Sequence, residues 1–188
     1  MTDVKGVNIM ILATDGFEQS ELEVPLHTLR DAGATVHVVA PKGGKIRGWD
    51  PSGWGEAVAV DRTIGKINHE HYDLLVLPGG QINPDLLRVD EDAVEIVRHF
   101  ARSGRPIAAI CHAPWLLVEA DAIKGKTVTC YKSIRKDLAN AGAHVEDEAV
   151  VVDGTLITSR DPGDLNAFCE AILDMIRDGR PALREARN

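Results

Sequence analysis

The residues best suited to chemistry in this chain lie together in Ala109-Ile110-Cys111-His112-Ala113-Pro114-Trp115. Ahead of the cysteine, Pro106 to Ile110 is a short apolar run after a Gly-Arg-Pro turn, the pattern of a buried parallel strand. Behind it, Trp115, Leu116 and Ala120 fall at helical spacing, with Pro114 in the first turn, where proline is tolerated. Cys111 therefore stands where a strand turns sharply into a helix. Its flanking neighbours Ala109 and Ala113 are small enough for a tight elbow. Such a turn projects the sulfur at a helix N-terminus, where unpaired N–H groups favour the thiolate. A free-cysteine pKa of about 8.5 can there fall to roughly 3.5–7.5. The pattern reads as a nucleophile, although the elbow alone also fits a small buried apolar cysteine at a strand end. His112, directly after the thiol, turns the reading toward function.

The remaining candidates fall at other strand ends. The first apolar run, Val7 to Ala13, leads to Glu18, and the run Leu74 to Leu77 closes in Pro78-Gly79-Gly80. In open parallel sheets the ligand site lies outside the carboxyl ends of the strands, which brings these groups toward Cys111. Gly80 could offer a backbone N–H to a developing oxyanion, joined by the N–H of His112. Taken singly, Glu18 is a solvated loop acid and Gly79-Gly80 an ordinary turn. His69-Glu70-His71 invites a metal, but no third or fourth ligand has a credible spacing, and a loop before a strand explains it. Cys169 reads as core. Cys130 is either a second thiol near the site or a strand cysteine, and Trp49 and Trp54 edge a pocket or an interface. No phosphate- or dinucleotide-binding glycine motif is present, and no cofactor is expected.

Alternating strands and helices must hold these groups. A helix is expected over Ser20 to Ala32, interrupted or kinked near Pro25, then a strand over Thr35 to Ala40 and an irregular hairpin leading to Ala57-Val60. A helix capped by Asp90 runs to Gly104, and the elbow strand follows. A short strand at Thr127 to Thr129, a short helix at Ile134 to Ala141 and a hairpin turning at Asp153-Gly154 come next. The last helix opens at Asp161-Pro162, and a basic, polar surface tail is expected over 179–188. The fold class is α/β, a mostly parallel three-layer sandwich with a small antiparallel hairpin.

With 188 residues, one domain over 1–188 is expected. A net charge of −8 argues against nucleic acid or an anionic membrane surface as partners. No apolar run reaches membrane-spanning length and no leader pattern precedes the first strand. Three cysteines, an odd number, then point to a reducing, cytoplasmic setting.

Taken together, Leu-Val-Leu-Pro-Gly-Gly, Ala-Ile-Cys-His-Ala-Pro some thirty residues on and the early Phe-Glu-x-x-Glu-Leu resemble the PfpI branch of the ThiJ/PfpI superfamily. Tyr131, Asp137-Leu138-x-Asn140-Ala141-Gly142 and Val151-Val152-Asp153-Gly154 extend the likeness over nearly the whole chain. The resemblance implies a flavodoxin-like sandwich of the class I glutamine amidotransferase type, and a homodimer or dimer-built hexamer. It also implies an active site near the subunit interface with the cysteine as nucleophile. Carried over by position, Glu18 is the acid that contacts the thiol; donating to sulfur requires an elevated carboxyl pKa. His112 is the general base or acid, or else a residue held at the helix start by backbone bonds. Tyr131 is a substrate hydrogen-bond donor or an aromatic wall. The family's interface glutamate, which orients the histidine, falls here in a loop one residue longer, Gln81-Ile82-Asn83-Pro84-Asp85, where the shorter Asp85 is the residue carried over to that catalytic role; Ala113 replaces the commoner Gly.

Two chemistries fit these residues. The thiolate can add to the aldehyde of a small dicarbonyl such as methylglyoxal, or act on early glycation adducts, with water releasing the product. Alternatively it attacks a peptide carbonyl, as an intracellular cysteine protease. A non-enzymatic thiol redox sensor or chaperone-like stress protein is the third reading, for which an exposed low-pKa thiol beside an acid would suffice.

Overall fold

The computed structural model describes residues 4–185, and their side chains as far as residue 179. Twelve strands and six α-helices alternate along the described residues. In chain order these are β1 (Asn8–Leu12), β2 (Phe17–Glu18), α1 (Gln19–Asp31), β3 (Thr35–Ala40), β4 (Lys45–Asp50), β5 (Gly53–Ala59) and β6 (Arg62–Thr63). There follow β7 (Leu74–Leu77), α2 (Ile82–Leu87), α3 (Glu91–Ser103), β8 (Ile107–Ile110), α4 (Pro114–Glu119), β9 (Thr127–Val128) and α5 (Arg135–Asn140). The chain ends with β10 (His144–Val145), β11 (Val150–Asp153), β12 (Leu156–Ser159) and α6 (Leu165–Glu185).

Seven strands form the central sheet in the order β11-β12-β8-β7-β1-β3-β6, parallel except for the β11–β12 hairpin. Both faces are covered, which is why the inner strands read as unbroken apolar runs. Alternate residues feed opposite layers. Met10, Leu12, Leu75, Leu77, Ile107 and Ala109 pack with Val97 and Phe100 of α3 and Leu116 and Leu117 of α4. Ile9, Ile11, Leu74, Val76, Ala108 and Ile110 pack with Leu22, Leu26 and Leu29 of α1 and Phe168 and Ile172 of α6. Helix α3 is bounded as its sequence indicates. The Asp90 carboxylate accepts the Ala93 N–H at 3.0 Å, and Gly104 closes the helix at φ 69°, a left-handed conformation that favours glycine.

Several elements differ from expectation. Helix α1 is continuous through Pro25, which forfeits only the bond that its N–H would have given the Glu21 carbonyl. Residues 82–87, expected as loop, form α2; Pro84 lies in its first turn, where its missing N–H costs nothing. The expected tail from 179 is helical as far as Glu185, and residues 186–188 lie outside the described residues. The expected irregular hairpin is present as β4–β5, but it joins β2 in a separate three-stranded sheet, and β9 pairs in parallel with β10.

Candidate active site

The loops after β1, β7 and β8 converge at one end of the sheet. Cys111 follows β8 with φ at 64°, one of two described non-glycine residues in the left-handed region. A side chain held there costs of order 1–3 kcal/mol, and such strain persists only where the surroundings enforce it. Here the Cys111 N–H donates to the Ser159 carbonyl at 3.1 Å and its carbonyl accepts the Tyr131 N–H at 2.9 Å. The elbow is thus tied on both sides.

His112 lies against the sulfur. Its Nδ1 is 3.2 Å from Cys111 Sγ, and its Nε2 is 3.0 Å from Ser133 Oγ. The ring stacks on Tyr131 at a centroid distance of 4.7 Å and meets Trp115 edge-on at 5.3 Å. Burial lowers the imidazole pKa, so the ring is neutral at pH 7. A neutral ring that accepts the thiol proton at Nδ1 carries its own proton on Nε2 and donates it to Ser133. The Ser133 hydroxyl can accept that proton, so the two contacts hold the ring in place for proton transfer.

The acid beside the thiol is Glu21, which corrects the assignment of Glu18. The Glu18 carboxylate caps α1, accepting the Glu21 N–H at 2.8 Å and the Ser20 hydroxyl at 2.6 Å. Glu21, one turn into the helix, is fully buried and interacts with Cys111. Its Oε2 accepts the Gly79 N–H at 2.9 Å, while Oε1 has no partner in strict hydrogen-bond geometry. Burial, reinforced by the Glu18 charge, raises its pKa to about 8. Glu21 is therefore a protonated acid at pH 7.

Burial also pushes the Cys111 thiol up, and an ionised Glu21 would push it further. The backbone N–H groups of Gly80 and His112 act the other way, each directed at the sulfur. The expected depressed thiol pKa is thus corrected: the helix-terminus effect is outweighed by the enclosure of the sulfur, and the resting group is a thiol. The Gly79 N–H is taken by Glu21 and is not left for an oxyanion. Both glycines are sterically required. A Cβ on Gly79 would lie 2.5 Å from Glu21 Oε2, and one on Gly80 (φ 77°) would lie 2.4 Å from the Gly16 carbonyl oxygen.

Asp85 is exposed on α2 and its carboxylate has no hydrogen bond or ion pair among the described residues; within the chain, Ser133 is the partner of His112. Two residues that the sequence reading did not single out complete the site. Ser133 is one. The other is Asn83, fully buried, which donates to the Pro78 and Gly79 carbonyls at 2.8 and 3.2 Å and accepts the Thr14 N–H at 2.7 Å, fixing the glycine turn against the β1 loop. Glu21 did carry a legible signal: with Leu22, Pro25, Leu26 and Leu29 it forms the buried face of α1. Cys130 and Cys169 are buried free thiols, both with pKa values raised by burial.

This arrangement can be set beside known proteins. Residues 7–175 match the DJ-1/PfpI family. The chain belongs to that family. Among its relatives, Deglycase TK1284 of Thermococcus kodakarensis is 40% identical over 171 residues, covering 91% of this chain and 100% of that one. YraA of Bacillus subtilis, whose name suggests a cysteine protease, is 40% identical over 170 residues, covering 90% of this chain and 98% of that one. Among solved structures, Drosophila melanogaster DJ-1beta superposes with a TM-score of 0.83 at 28% identity, covering 96% of this chain and 95% of that one. The family and fold expected from the motifs are therefore established. Among the described residues, no helix is long and apolar enough to cross a membrane.

Proposed function

We propose that this protein is a cysteine-dependent enzyme that converts small dicarbonyls such as methylglyoxal, or early glycation adducts, to hydroxy acids without a cofactor. The observation that carries the proposal is the thiol–imidazole pair, Cys111 Sγ to His112 Nδ1 at 3.2 Å, on an elbow beside a neutral buried acid. His112 takes the thiol proton as sulfur adds to the aldehyde carbon, and the imidazolium returns it to the new oxygen, giving a hemithioacetal. The N–H groups of Gly80 and His112, directed at the sulfur, would stabilise charge on that oxygen as it develops. Glu21 donates toward sulfur whenever the thiol has lost its proton. His112 then moves a proton from the first carbon to the second through an enediol, leaving a lactoyl thioester on Cys111. Water cleaves the thioester, releasing lactate and the free thiol; methylglyoxal plus water equals lactic acid, with no net redox change.

The experiment is lactate release from methylglyoxal by the wild type, Cys111→Ala and His112→Ala. Turnover by the wild type and its loss in both folded variants supports the proposal, and an inactive wild type refutes it. Peptide hydrolysis is the second reading, favoured by the name of YraA and by the same thiol–imidazole pair. It predicts cleavage of casein that depends on Cys111. A redox sensor is less well supported, because the thiol is buried and its pKa raised. Unbridged cysteines suit a reducing compartment such as the cytoplasm.

The proposal includes a homodimer. Ile82, Leu86 and Val89 are exposed apolar residues at helical spacing around Asp85, and the exposed Trp49 and Trp54 meet edge-on at 5.4 Å. Pairing through α2 would bury this face and carry Asp85 toward a second copy, and a dimer-built hexamer would reuse the same contact.

A further inference from the structure

We infer that His69, Glu70 and His99 form a binding site for a divalent transition-metal ion such as zinc, at the end of the sheet opposite Cys111. The sequence offers only His69-Glu70-His71, and the fold rearranges that set. The single 3₁₀ turn His69–His71 directs His71 toward another cavity, lined by Asn8, His37, Asn68 and Tyr72. It directs His69 toward α3, where His99 meets it with ring centroids 4.2 Å apart. His99 Nε2 lies 3.6 Å from Glu70 Oε1, and one ligand atom from each of the three side chains lies within 4.8 Å of the others. Bonds of about 2.0–2.2 Å to a tetrahedral ion place donor atoms roughly 3.3–3.6 Å apart. Small side-chain rotations therefore close the set, and the fourth position is left for water.

The backbone that carries these ligands is already fixed. Arg105 Nη1 donates to the His69 and Tyr72 carbonyls at 3.0 and 2.8 Å, and the Asn68 side chain caps the Glu70 N–H at 3.0 Å. Both imidazoles are half-buried, whereas the Glu70 side chain is 64% exposed and free to swing onto an ion. One contact opposes the metal: Arg105 Nη2 is bonded to His99 Nε2. An ion taking that nitrogen displaces a single arginine contact, because Arg105 keeps its bonds to both carbonyls and to Ser103 Oγ at 3.0 Å. The neighbouring arginine charge weakens the site without closing it, and Glu70 offsets that charge. Two neutral nitrogens and one carboxylate form a donor set suited to zinc and its neighbours rather than to calcium or magnesium, which prefer oxygen ligands. Because the site joins the turn before the central strand β7 to α3, occupancy would clamp that end of the sheet to a helix and raise stability rather than take part in catalysis.

The test is calorimetric titration of zinc chloride into the full-length Cys111→Ala protein, which removes the active-site thiol as a competing ligand. One zinc per chain is expected, with affinity falling about tenfold or more when His99→Ala or Glu70→Gln is added and circular dichroism unchanged. Zinc should also raise the Tm of Cys111→Ala and leave that of the His99→Ala double variant unmoved. Absence of stoichiometric zinc, or equal affinity in folded proteins with and without His99, would overturn the inference.

Discussion

Replacing Glu21 with glutamine should stabilise this protein, by an amount that depends on pH. The carboxyl is fully buried, and its pKa rises from 4.5 to about 8 on folding. An acid whose folded pKa is raised keeps its proton in the native state while the unfolded chain releases it. Its contribution is therefore most favourable below pH 4.5 and is lost as pH climbs toward 8. The loss runs at about 1.4 kcal/mol per pH unit across that window, or roughly 3 kcal/mol by pH 7. Glutamine has nearly the same shape, can still accept the Gly79 N–H and does not titrate. Its stability advantage over the wild type should thus widen by about 3 to 4 kcal/mol between pH 5 and pH 8. Urea unfolding of both proteins at pH 5, 6, 7 and 8, followed by fluorescence, measures this directly. A difference that stays flat across the series would mean that Glu21 is ionised in the native state, and the assignment of a neutral acid beside the thiol would fail.

Three further outcomes follow from the site. Ser133→Ala removes the partner of His112 Nε2 and should lower kcat about tenfold with KM little changed, with Ser133→Thr restoring most of it. Asn83→Ala removes the partner of the half-buried Thr14 N–H and of the Pro78 carbonyl, leaves the Gly79 carbonyl only the Glu18 N–H at 3.3 Å, and should lower unfolding stability by about 2–4 kcal/mol in urea melts. Gly80→Ala combines a left-handed backbone with a Cβ 2.4 Å from the Gly16 carbonyl oxygen, and should cost about 3 kcal/mol and much of the activity; a variant as stable as the wild type would contradict the described turn.

What the sequence disclosed follows from the physics of burial. Strands β1, β3, β7 and β8 lie within a residue or so of their apolar runs, because a parallel sheet covered on both faces leaves little room for polar side chains. The elbow was legible for the same reason, as an apolar run ends abruptly at Cys111 and helical spacing begins. Glu18 and Glu21 were harder to tell apart, since both belong to one Phe-Glu-x-x-Glu pattern. Only a helix start at Gln19 makes the first a cap and turns the second inward. Helix α2 is short and contains Pro84, so local pattern favoured a loop. Ser133, Asn83 and His99 owe their roles to contacts across more than twenty, sixty and twenty-five residues of chain respectively, and no local spacing encodes such contacts.

Quenching the wild-type protein in acid during methylglyoxal turnover and mapping its peptides by mass tests the thiol mechanism most directly. The account predicts one three-carbon acyl adduct, on the peptide that contains Cys111, which disappears as lactate accumulates. Lactate formed without any such adduct, or formed equally well by Cys111→Ala, would contradict it.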